Sequence, residues 1–337
     1  MAALYDLPAP AKLNLFLHVT GRRPDGYHDL QTVFRFIDLC DHLSFDLRRD
    51  GKVERDADCF PGLASDDDLV VKAARALQSV TGTSHGVQIR YTKRIPHGAG
   101  LGGGSSNAAT TLIALNRLWN TGLDRTALMR LARPPGADVP VFIFGRSAFA
   151  EGVGDVLEEI SLADKSYLVL QPQGSVATAA VFSDDRLTRN TEPVRISVFA
   201  HWHMANAQQE TGLDEVEQQG AEQLYGAQLF GRNDLEPVVL AGYENVRRMA
   251  HALKDQGFRA RMTGSGSCFF IEYNALEEAY RAQRVISSKM ESLEGERAHA
   301  TTRVHGQPPG GKPQGLAAVV KHMWACPGLS EHPLRHW

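Results

Sequence analysis

The residues that could do chemistry are densest between Pro96 and Thr111, where five glycines fall within the seven positions 98–104. Glycine has no Cβ and readily adopts positive φ, so such a run lets successive backbone N–H groups converge on an anion. Directly after the glycines, Ser105 is suited to be an N-cap, and apolar residues recur at helical spacing from Ala108 to Trp119. The stretch therefore predicts a phosphate-binding loop that leads into the positive end of a helix.

Other glycine-rich loops fit this stretch less well. A Walker A loop has a lysine directly after its last glycine, whereas Gly104 is followed by Ser105. The glycine spacing matches the dinucleotide-binding fingerprint, but the position about 20 residues later, where that motif has an acidic residue, falls at a helix end. A protein-kinase loop continues into a strand, and this one continues into a helix. A plain surface turn remains as the minority interpretation.

The composition is that of a soluble globular protein with no basic surface for nucleic acid. The chain has 337 residues, 43% of them hydrophobic and 22% charged, with a formal net charge of −3. This length is enough for two domains. No stretch approaches the ~20 apolar residues that cross a bilayer, and the first residues lack a signal-peptide pattern, so we expect a cytoplasmic protein. The four scattered cysteines predict reduced thiols.

Polar residues at three other places could contribute to a site. Lys12 and Asn14 share one face of a predicted strand, Ala11–Val19, although on spacing alone a lysine at the start of a strand is expected to face solvent. Tyr27-His28 follows a tight turn and could form a stacking and hydrogen-bonding platform, whereas His28 alone would more often be structural. Asp138 precedes an apolar run, 139–144, that we predict as a buried strand, where a carboxylate must be hydrogen-bonded or charge-paired.

The remaining periodicity predicts an α+β protein whose second half is ferredoxin-like. Two polar stretches, 203–228 and 294–315, are predicted to be unstructured, and the pair His201-x-His203 is interpreted as part of a loop and not as a metal site. The predicted strands are 33–37, 38–46, 86–91 and 167–170, the predicted helices are 66–77, 124–133, 236–254 and 276–290, and a hairpin is predicted over 259–273.

Three motifs together resemble the GHMP small-molecule kinases: the early strand, the loop Pro96–Ser106, and a late Gly-Ser-Gly turn at 264–266. The resemblance is dense over 8–185 and patchy over 230–290. It implies an N-terminal ribosomal-protein-S5-domain-2-like domain at 1–163, a C-terminal ferredoxin-like domain at 164–293, and a flexible Pro/Gly-rich segment and tail at 294–337. Within the family, five stretches resemble the branch that acts on a cytidyl-diphosphate-linked methylerythritol, namely 10–15, 23–28, 136–140, 148–154 and 233–236.

That branch implies ATP-dependent phosphorylation of the substrate's 2-hydroxyl, a step of the non-mevalonate isoprenoid pathway. By motif position, Lys12 and Asp138 would be the catalytic pair. Asp138 would accept the proton of the attacking hydroxyl, and Lys12 would orient that hydroxyl and offset charge on the phosphoryl group. How far the aspartate acts as a base stays open, because phosphoryl transfer is dominated by positioning.

The resemblance also implies the binding residues. Cytosine would stack between Tyr27 and Phe182 and hydrogen-bond to His28, while Asn14 would help to place the substrate. Mg²⁺ would accompany ATP without an assigned protein ligand. No other metal, nucleic acid or membrane partner is expected, and the protein is expected to be a monomer or a weak homodimer. The ATP phosphates would contact Lys93, Pro96, His97, Gly98, Ala99, Gly100, Leu101, Gly102, Gly103, Gly104, Ser105 and Ser106.

Two rival hypotheses remain at this stage. One is a sibling kinase of the same family that phosphorylates homoserine or mevalonate. The other is a nucleotide-binding or RNA-contacting protein without catalysis, because the same fold could bind phosphate and do nothing more. The presence of both Lys12 and Asp138 favours catalysis.

Overall fold

The computed structural model describes residues 3–134, 136–208, 232–301 and 319–337. Within these ranges no helix combines the length and the apolar character that a membrane crossing requires. The chain builds one mixed sheet with helices packed against it, and buried apolar residues form three clusters along that sheet.

Two long antiparallel strands, β1 (Ala3–Arg22) and β2 (His28–Arg48), organise the N-terminal half. The predicted strand at 11–19 is confirmed within β1, and the two segments predicted at 33–37 and 38–46 are one continuous strand. On the edge opposite β1, different parts of β2 pair with different strands. It pairs with β4 (Gly86–Thr92) and with β5 (Ala148–Glu151), while the short β3 (Val53–Arg55) adds to β4.

Four helices pack on this half of the sheet. Asp68 and Asp124 cap α1 (Leu69–Thr81) and α3 (Arg125–Ala132), because their carboxylates accept backbone N–H bonds of 3.1 Å and 2.7 Å in the first turn. The helix predicted at 66–77 therefore begins later, and residues 65–67 form a separate 3₁₀ turn. The other two helices are α2 (Gly103–Leu118) and α4 (Val139–Phe144).

The prediction of a buried strand at 139–144 is wrong, because these residues form α4. Five of its six residues are buried, so the run shows neither the alternation of a strand nor the stripe of a helix. Pro140 in the first turn suits a helix start, where its missing N–H has no intrahelical partner to lose. Gly145, with φ of 77°, ends the helix.

The C-terminal half contains the predicted hairpin and helices with different limits. Helix 236–254 is divided at Tyr243, and the helix predicted at 276–290 continues to Thr301. The strand β6 (Val156–Glu159) pairs with β5 and completes the N-terminal half. The elements that follow are β7 (Ser166–Pro172), α5 (Thr178–Ser183), α6 (Ile196–Gln208), α7 (Glu236–Gly242), α8 (Glu244–Asp255), β8 (Arg261–Met262), β9 (Phe269–Tyr273), α9 (Leu276–Thr301) and β10 (Val320–Leu329).

The C-terminal segment predicted as a tail is a central strand instead. In the sheet order β3-β4-β2-β10-β7-β9-β8, β10 lies between β2 and β7. Local composition could not predict this central position. The residues that pair with β10, for example Ile37 and Leu168, lie more than 150 residues away from it in sequence. Of the flexible segment predicted at 294–315, residues 294–301 belong to α9, and the rest lies outside the described residues.

The loop predicted around His203 is also wrong, because α6 extends to Gln208. His203 is buried, and its Nε2 accepts the backbone N–H of Ala163 at 3.1 Å, so it has a structural partner. The remainder of the polar stretch, 209–228, lies outside the described residues.

Candidate active site

A cavity of about 350 Å³ brings the main predicted residues together. The glycine loop forms one wall, β1 and β2 form the floor, and the turn at Gly264-Ser265 faces the loop. Lys12, Asn14, Asp138 and Phe182 all line it, together with every loop residue from Pro96 to Ser105. Ser106, the last predicted loop residue, is fully buried and is not among the lining residues.

The glycine loop enters its helix three residues earlier than predicted. Gly102, with φ of 70°, is the N-cap of α2 in place of Ser105, and the N–H of Ser106 donates to its carbonyl at 2.8 Å. Ala99 and Leu101 anchor the loop in the core, whereas His97 and Gly98 are exposed. The N-terminal turn of α2 therefore faces the cavity with its unpaired N–H groups, as an anion site requires.

Glycine is required where the loop meets its neighbours. A Cβ on Gly102 would lie 3.0 Å from Lys12 Cγ and 3.1 Å from Phe142 Cζ. A Cβ on Gly100 would overlap the carbonyl oxygen of Thr263. The loop is thus pressed between β1 and the Thr263–Ser267 turn.

Lys12 is buried at the centre of the cavity and does not face solvent. Its Nζ donates to Asn14 Oδ1 at 2.5 Å and lies 3.3 Å from Asp138 Oδ2 and 5.5 Å from the centre of the Phe34 ring. The expectation from spacing alone, that this lysine faces solvent, is therefore wrong. Acceptors from β1 and from the start of α4 together offset the desolvation of its ammonium group.

The Asp138 carboxylate is available to a ligand. Asp138 immediately precedes α4, but its side chain makes no capping hydrogen bond to that helix. The side chain is 34% exposed, while that of Lys12 is 4% exposed. One carboxylate oxygen therefore pairs with the lysine, and the group stays open to the cavity.

Asn14 is held by threonines that the sequence analysis did not single out. Its Nδ2 donates to Thr32 Oγ1 at 2.9 Å, and its backbone N–H donates to Thr263 Oγ1 at 2.9 Å. These bonds turn the amide so that Oδ1 accepts from Lys12. Thr263 also donates to Gly100 O at 3.4 Å, so the late turn packs against the glycine loop.

The late turn is itself fixed by Asn233, another residue whose role could not be assigned from sequence. Its Nδ2 donates to the carbonyls of Met262 and Gly264 at 3.0 Å and 2.7 Å. The Asn233-Asp234 pair was noted only as part of a family motif, and the structure shows that Asn233 supports the turn.

Lys93 lies beside the loop but is bound to a buried aspartate. Its Nζ donates to Asp41 Oδ2 at 2.5 Å, and the other oxygen of Asp41 accepts the N–H groups of Arg94 and Ile95 at 2.7 Å and 2.8 Å. Lys93 Nζ also sits beneath the start of α2, 3.1 Å from where a Cβ of Gly103 would lie. Asp41, within β2, carries no local sequence signal for this role.

The predicted aromatic pair is arranged differently from the expectation. The ring of His28 lies 5.2 Å from that of Phe182 at an angle of 30°, and His28 is buried, whereas Tyr27 is 63% exposed. Arg189 Nε donates to His28 Nε2 at 3.1 Å. Burial, and then the charge of Arg189, lower the pKa of His28 and favour its neutral form. The neighbour of Phe182 is thus His28 and not Tyr27.

A second cavity of about 680 Å³ continues along the loop and shares Pro96 and His97 with the first. Phe60, whose ring lies 5.3 Å from that of His97, lines it from one side, and Lys321 and Trp324 of β10 line it from the other. Aromatic and cationic side chains at the end of a phosphate loop suit the base and ribose of a nucleotide.

Comparisons with known proteins show what the chain is similar to. The family models described as GHMP kinases N terminal domain and GHMP kinases C terminal match residues 68–146 and 219–292. A protein of Bordetella parapertussis named 4-diphosphocytidyl-2-C-methyl-D-erythritol kinase is 52% identical over 99% of this chain and 98% of its own length. One of the same name from Cupriavidus metallidurans is 50% identical over 84% and 88%.

Solved structures show the same fold. A crystal structure of 4-(cytidine 5'-diphospho)-2C-methyl-D-erythritol kinase superposes with a TM-score of 0.67 at 28% identity, and the match covers 96% of this chain and 98% of that one. Homoserine kinase from Cytophaga hutchinsonii gives a TM-score of 0.57 at 16% identity over 88% and 91%, which supports the fold alone. The α+β, two-domain architecture predicted from the sequence is confirmed.

Proposed function

The chain belongs to the GHMP kinase family, and from that premise we propose that it transfers a phosphoryl group from ATP to the 2-hydroxyl of 4-diphosphocytidyl-2-C-methyl-D-erythritol. The observation that carries the proposal is the Lys12–Asp138 pair, 3.3 Å apart in a cavity whose wall is the glycine loop. Relatives that bear the name of this kinase match the chain over almost its full length.

In this mechanism Asp138 receives the hydrogen of the attacking hydroxyl, and Lys12 holds that hydroxyl beside the carboxylate. The new bond forms between the hydroxyl oxygen and the γ-phosphorus as the bond to the β-phosphate oxygen breaks. Backbone N–H groups of the loop and the positive end of α2 stabilise charge on the phosphate oxygens. Because the transition state is loose, this positioning contributes most of the rate.

The two substrates enter from different sides of the cavity. The phosphates of ATP lie along the loop from Pro96 to Gly104, and the nucleoside extends into the adjoining cavity beside Phe60. The cytidyl end of the acceptor binds at Phe182 and His28, and the exposed Tyr27 covers the base when the substrate is bound. Asn14 positions the acceptor beside Lys12. The predicted cytoplasmic location and the monomeric or weakly dimeric state stay predictions.

Magnesium would be brought in by the nucleotide. Mg²⁺ usually binds one or two carboxylates together with phosphate oxygens and water. In the described part of the chain, no group of three or more His, Cys, Asp or Glu side chains could hold a metal ion. Among the residues that line the active-site cavity, the only carboxylate described is that of Asp138. A carboxylate ligand for that Mg²⁺ among the described lining residues would therefore be Asp138.

The proposal is tested by turnover with purified protein. With ATP, magnesium and the cytidyl diphosphate substrate, we expect ADP release and a phosphorylated product. Asp138→Asn keeps the shape of the side chain but removes the proton acceptor, so we expect kcat to fall by about 10²–10⁴-fold with little change in the KM for ATP. Asp255→Asn, on an exposed helix end, is the matched control and should leave kcat unchanged.

Two results would contradict the proposal. Turnover of homoserine or mevalonate without turnover of the cytidyl substrate would assign the chain to a sibling activity. Tight ATP binding with no transfer to any of these alcohols would instead indicate a binding protein.

A further inference from the structure

Arg189 joins His28 to Phe182, which lines the active-site cavity. Its Nε donates to His28 Nε2 at 3.1 Å. Its terminal nitrogens donate to three carbonyls of the segment that carries Phe182: Phe182 O at 3.0 Å, Asp184 O at 2.8 Å and Leu187 O at 3.2 Å. One guanidinium thus connects the strand that begins at His28 with the end of α5. These four bonds hold the His28 ring and the backbone that carries Phe182 in a fixed relation.

The same contact determines which nitrogen of His28 carries a proton. Arginine has N–H donors and no acceptor, so Nε2 of His28 must accept, and in the neutral imidazole the proton is on Nδ1. His28 therefore offers one donor, Nδ1–H, and its ring lies against Phe182, which lines the cavity. Acceptor atoms of a pyrimidine base, such as a ring carbonyl oxygen, are the complementary group.

We propose that Arg189 is a positioning and specificity residue, which holds His28 and Phe182 as one rigid face and sets the His28 tautomer for the base of the acceptor substrate. This inference rests on the proposed function. Arg189 acts through other side chains, so its loss weakens recognition of the cytidyl group more than it slows phosphoryl transfer. The nucleotide donor, which binds along the glycine loop, is unaffected.

The experiment compares Arg189→Met with the wild-type enzyme. We expect the KM for the cytidyl substrate and the Kd for cytidine 5'-diphosphate to rise roughly 10- to 100-fold, as for the loss of charge-assisted hydrogen bonds. The KM for ATP should stay within about two-fold and kcat within about three-fold. Arg186→Met is the matched control, because Arg186 lies in the same segment and pairs with Asp184 on the surface. It should leave all these constants unchanged.

Two further variants separate positioning from a general structural role. Arg189→Lys keeps the charge but not the planar fork, so it should resemble Arg189→Met; full recovery with lysine would overturn the proposal. In a His28→Asn background, Arg189→Met should weaken cytidine 5'-diphosphate binding by a smaller factor than in the wild-type background, since the part of the loss that acts through His28 is already gone. Full additivity, or an equal rise in the KM for ATP, would also overturn it.

Failure of the proposed function would be visible separately. If the wild-type protein turned over no cytidyl substrate, the proposed function would fail, and the cytidine 5'-diphosphate affinities would still decide the role of Arg189. Turnover of the cytidyl substrate by the wild-type protein, together with unchanged cytidine 5'-diphosphate affinity in Arg189→Met, would refute this inference alone.

Discussion

At the residue scale, the site depends on a buried ammonium group. Removing Lys12 from water costs several kcal/mol, and only well-placed acceptors offset that cost. Asn14 Oδ1 and Asp138 Oδ2 supply them, and the Phe34 ring adds a weaker attraction. The same contacts that stabilise the lysine hold it where a hydroxyl and a phosphate would meet.

A second buried residue, His332, makes a prediction about pH. Its Nδ1 accepts the N–H of Leu334 at 3.0 Å, and burial, followed by the charge of Arg125, lowers its pKa to about 3. The unfolded imidazole titrates near pH 6.5. Between about pH 6.5 and 3 the unfolded chain therefore binds a proton that the folded chain does not. As the pH is lowered through this range, the free energy of unfolding decreases by up to about 1.4 kcal/mol per pH unit.

Replacing His332 should remove this contribution. We expect His332→Asn to flatten the pH dependence of the free energy of unfolding between pH 6.5 and 5, measured by denaturant titration. His336→Asn is the control, because the side chain of His336 is 73% exposed, and its slope should match the wild type. Burial also lowers the pKa of His203, so a smaller slope of the same sign should remain. Equal slopes for wild type and His332→Asn would contradict the prediction.

At the element scale, the glycine loop is packed closely against the late turn. Gly100 and Gly122 both have positive φ, 77° and 68°, but a Cβ on Gly100 would overlap Thr263 O, whereas one on Gly122 would meet nothing within 4 Å. Gly122→Ala should therefore cost about 1–2 kcal/mol of stability and leave kcat unchanged. Gly100→Ala should carry the same strain and also separate the loop from the turn, which should lower kcat about 10²-fold.

Kinetics and thermal unfolding of the two variants check this prediction. Equal stability and equal kcat in Gly100→Ala and Gly122→Ala would show that the close approach has no catalytic role.

At the scale of the whole molecule, the last strand joins the two halves. β10 pairs along β7 from Val320 to Pro327 and reaches β2 at Gly328 and Leu329. Beyond it, Leu334 enters the N-terminal core, and Arg125 donates to the carbonyl of Arg335. The predicted domain limits at 163 and 293 stay predictions, but a sheet that continues through β10 links both sides of them.

Removing this strand should abolish cooperative folding. A chain that ends at residue 319 would leave backbone groups of β2 and β7 unpaired, so we expect aggregation and no single thermal transition. A chain that ends at Arg335 loses only His336 and Trp337, whose ring lies 4.6 Å from the Arg117 guanidinium, and its unfolding free energy should fall by about 1 kcal/mol or less. Circular dichroism and light scattering distinguish the two. A cooperative transition in the shorter chain would contradict the prediction.

The sequence alone determined the features that depend on nearby residues. Positive φ, close approach and a helix start are encoded within the glycine loop itself, so its position and ligand class were predictable. The alternation of β1 and the motif around Asp138 located both members of the Lys12–Asp138 pair. Their roles came from resemblance to a family and not from geometry.

Only the tertiary structure decided features that depend on distant partners. Five of the six residues in the helix at 139–144 are buried, so the sequence there has no period that distinguishes a helix from a strand. Val320–Leu329 is a strand because β2 and β7 leave a gap between them. Asp41 holds Lys93, and Arg189 places His28 against Phe182, through contacts between residues 52 to 161 positions apart. Such contacts depend on how distant parts of the chain are brought together. Local hydrophobic patterns and turn residues carry no information about that arrangement.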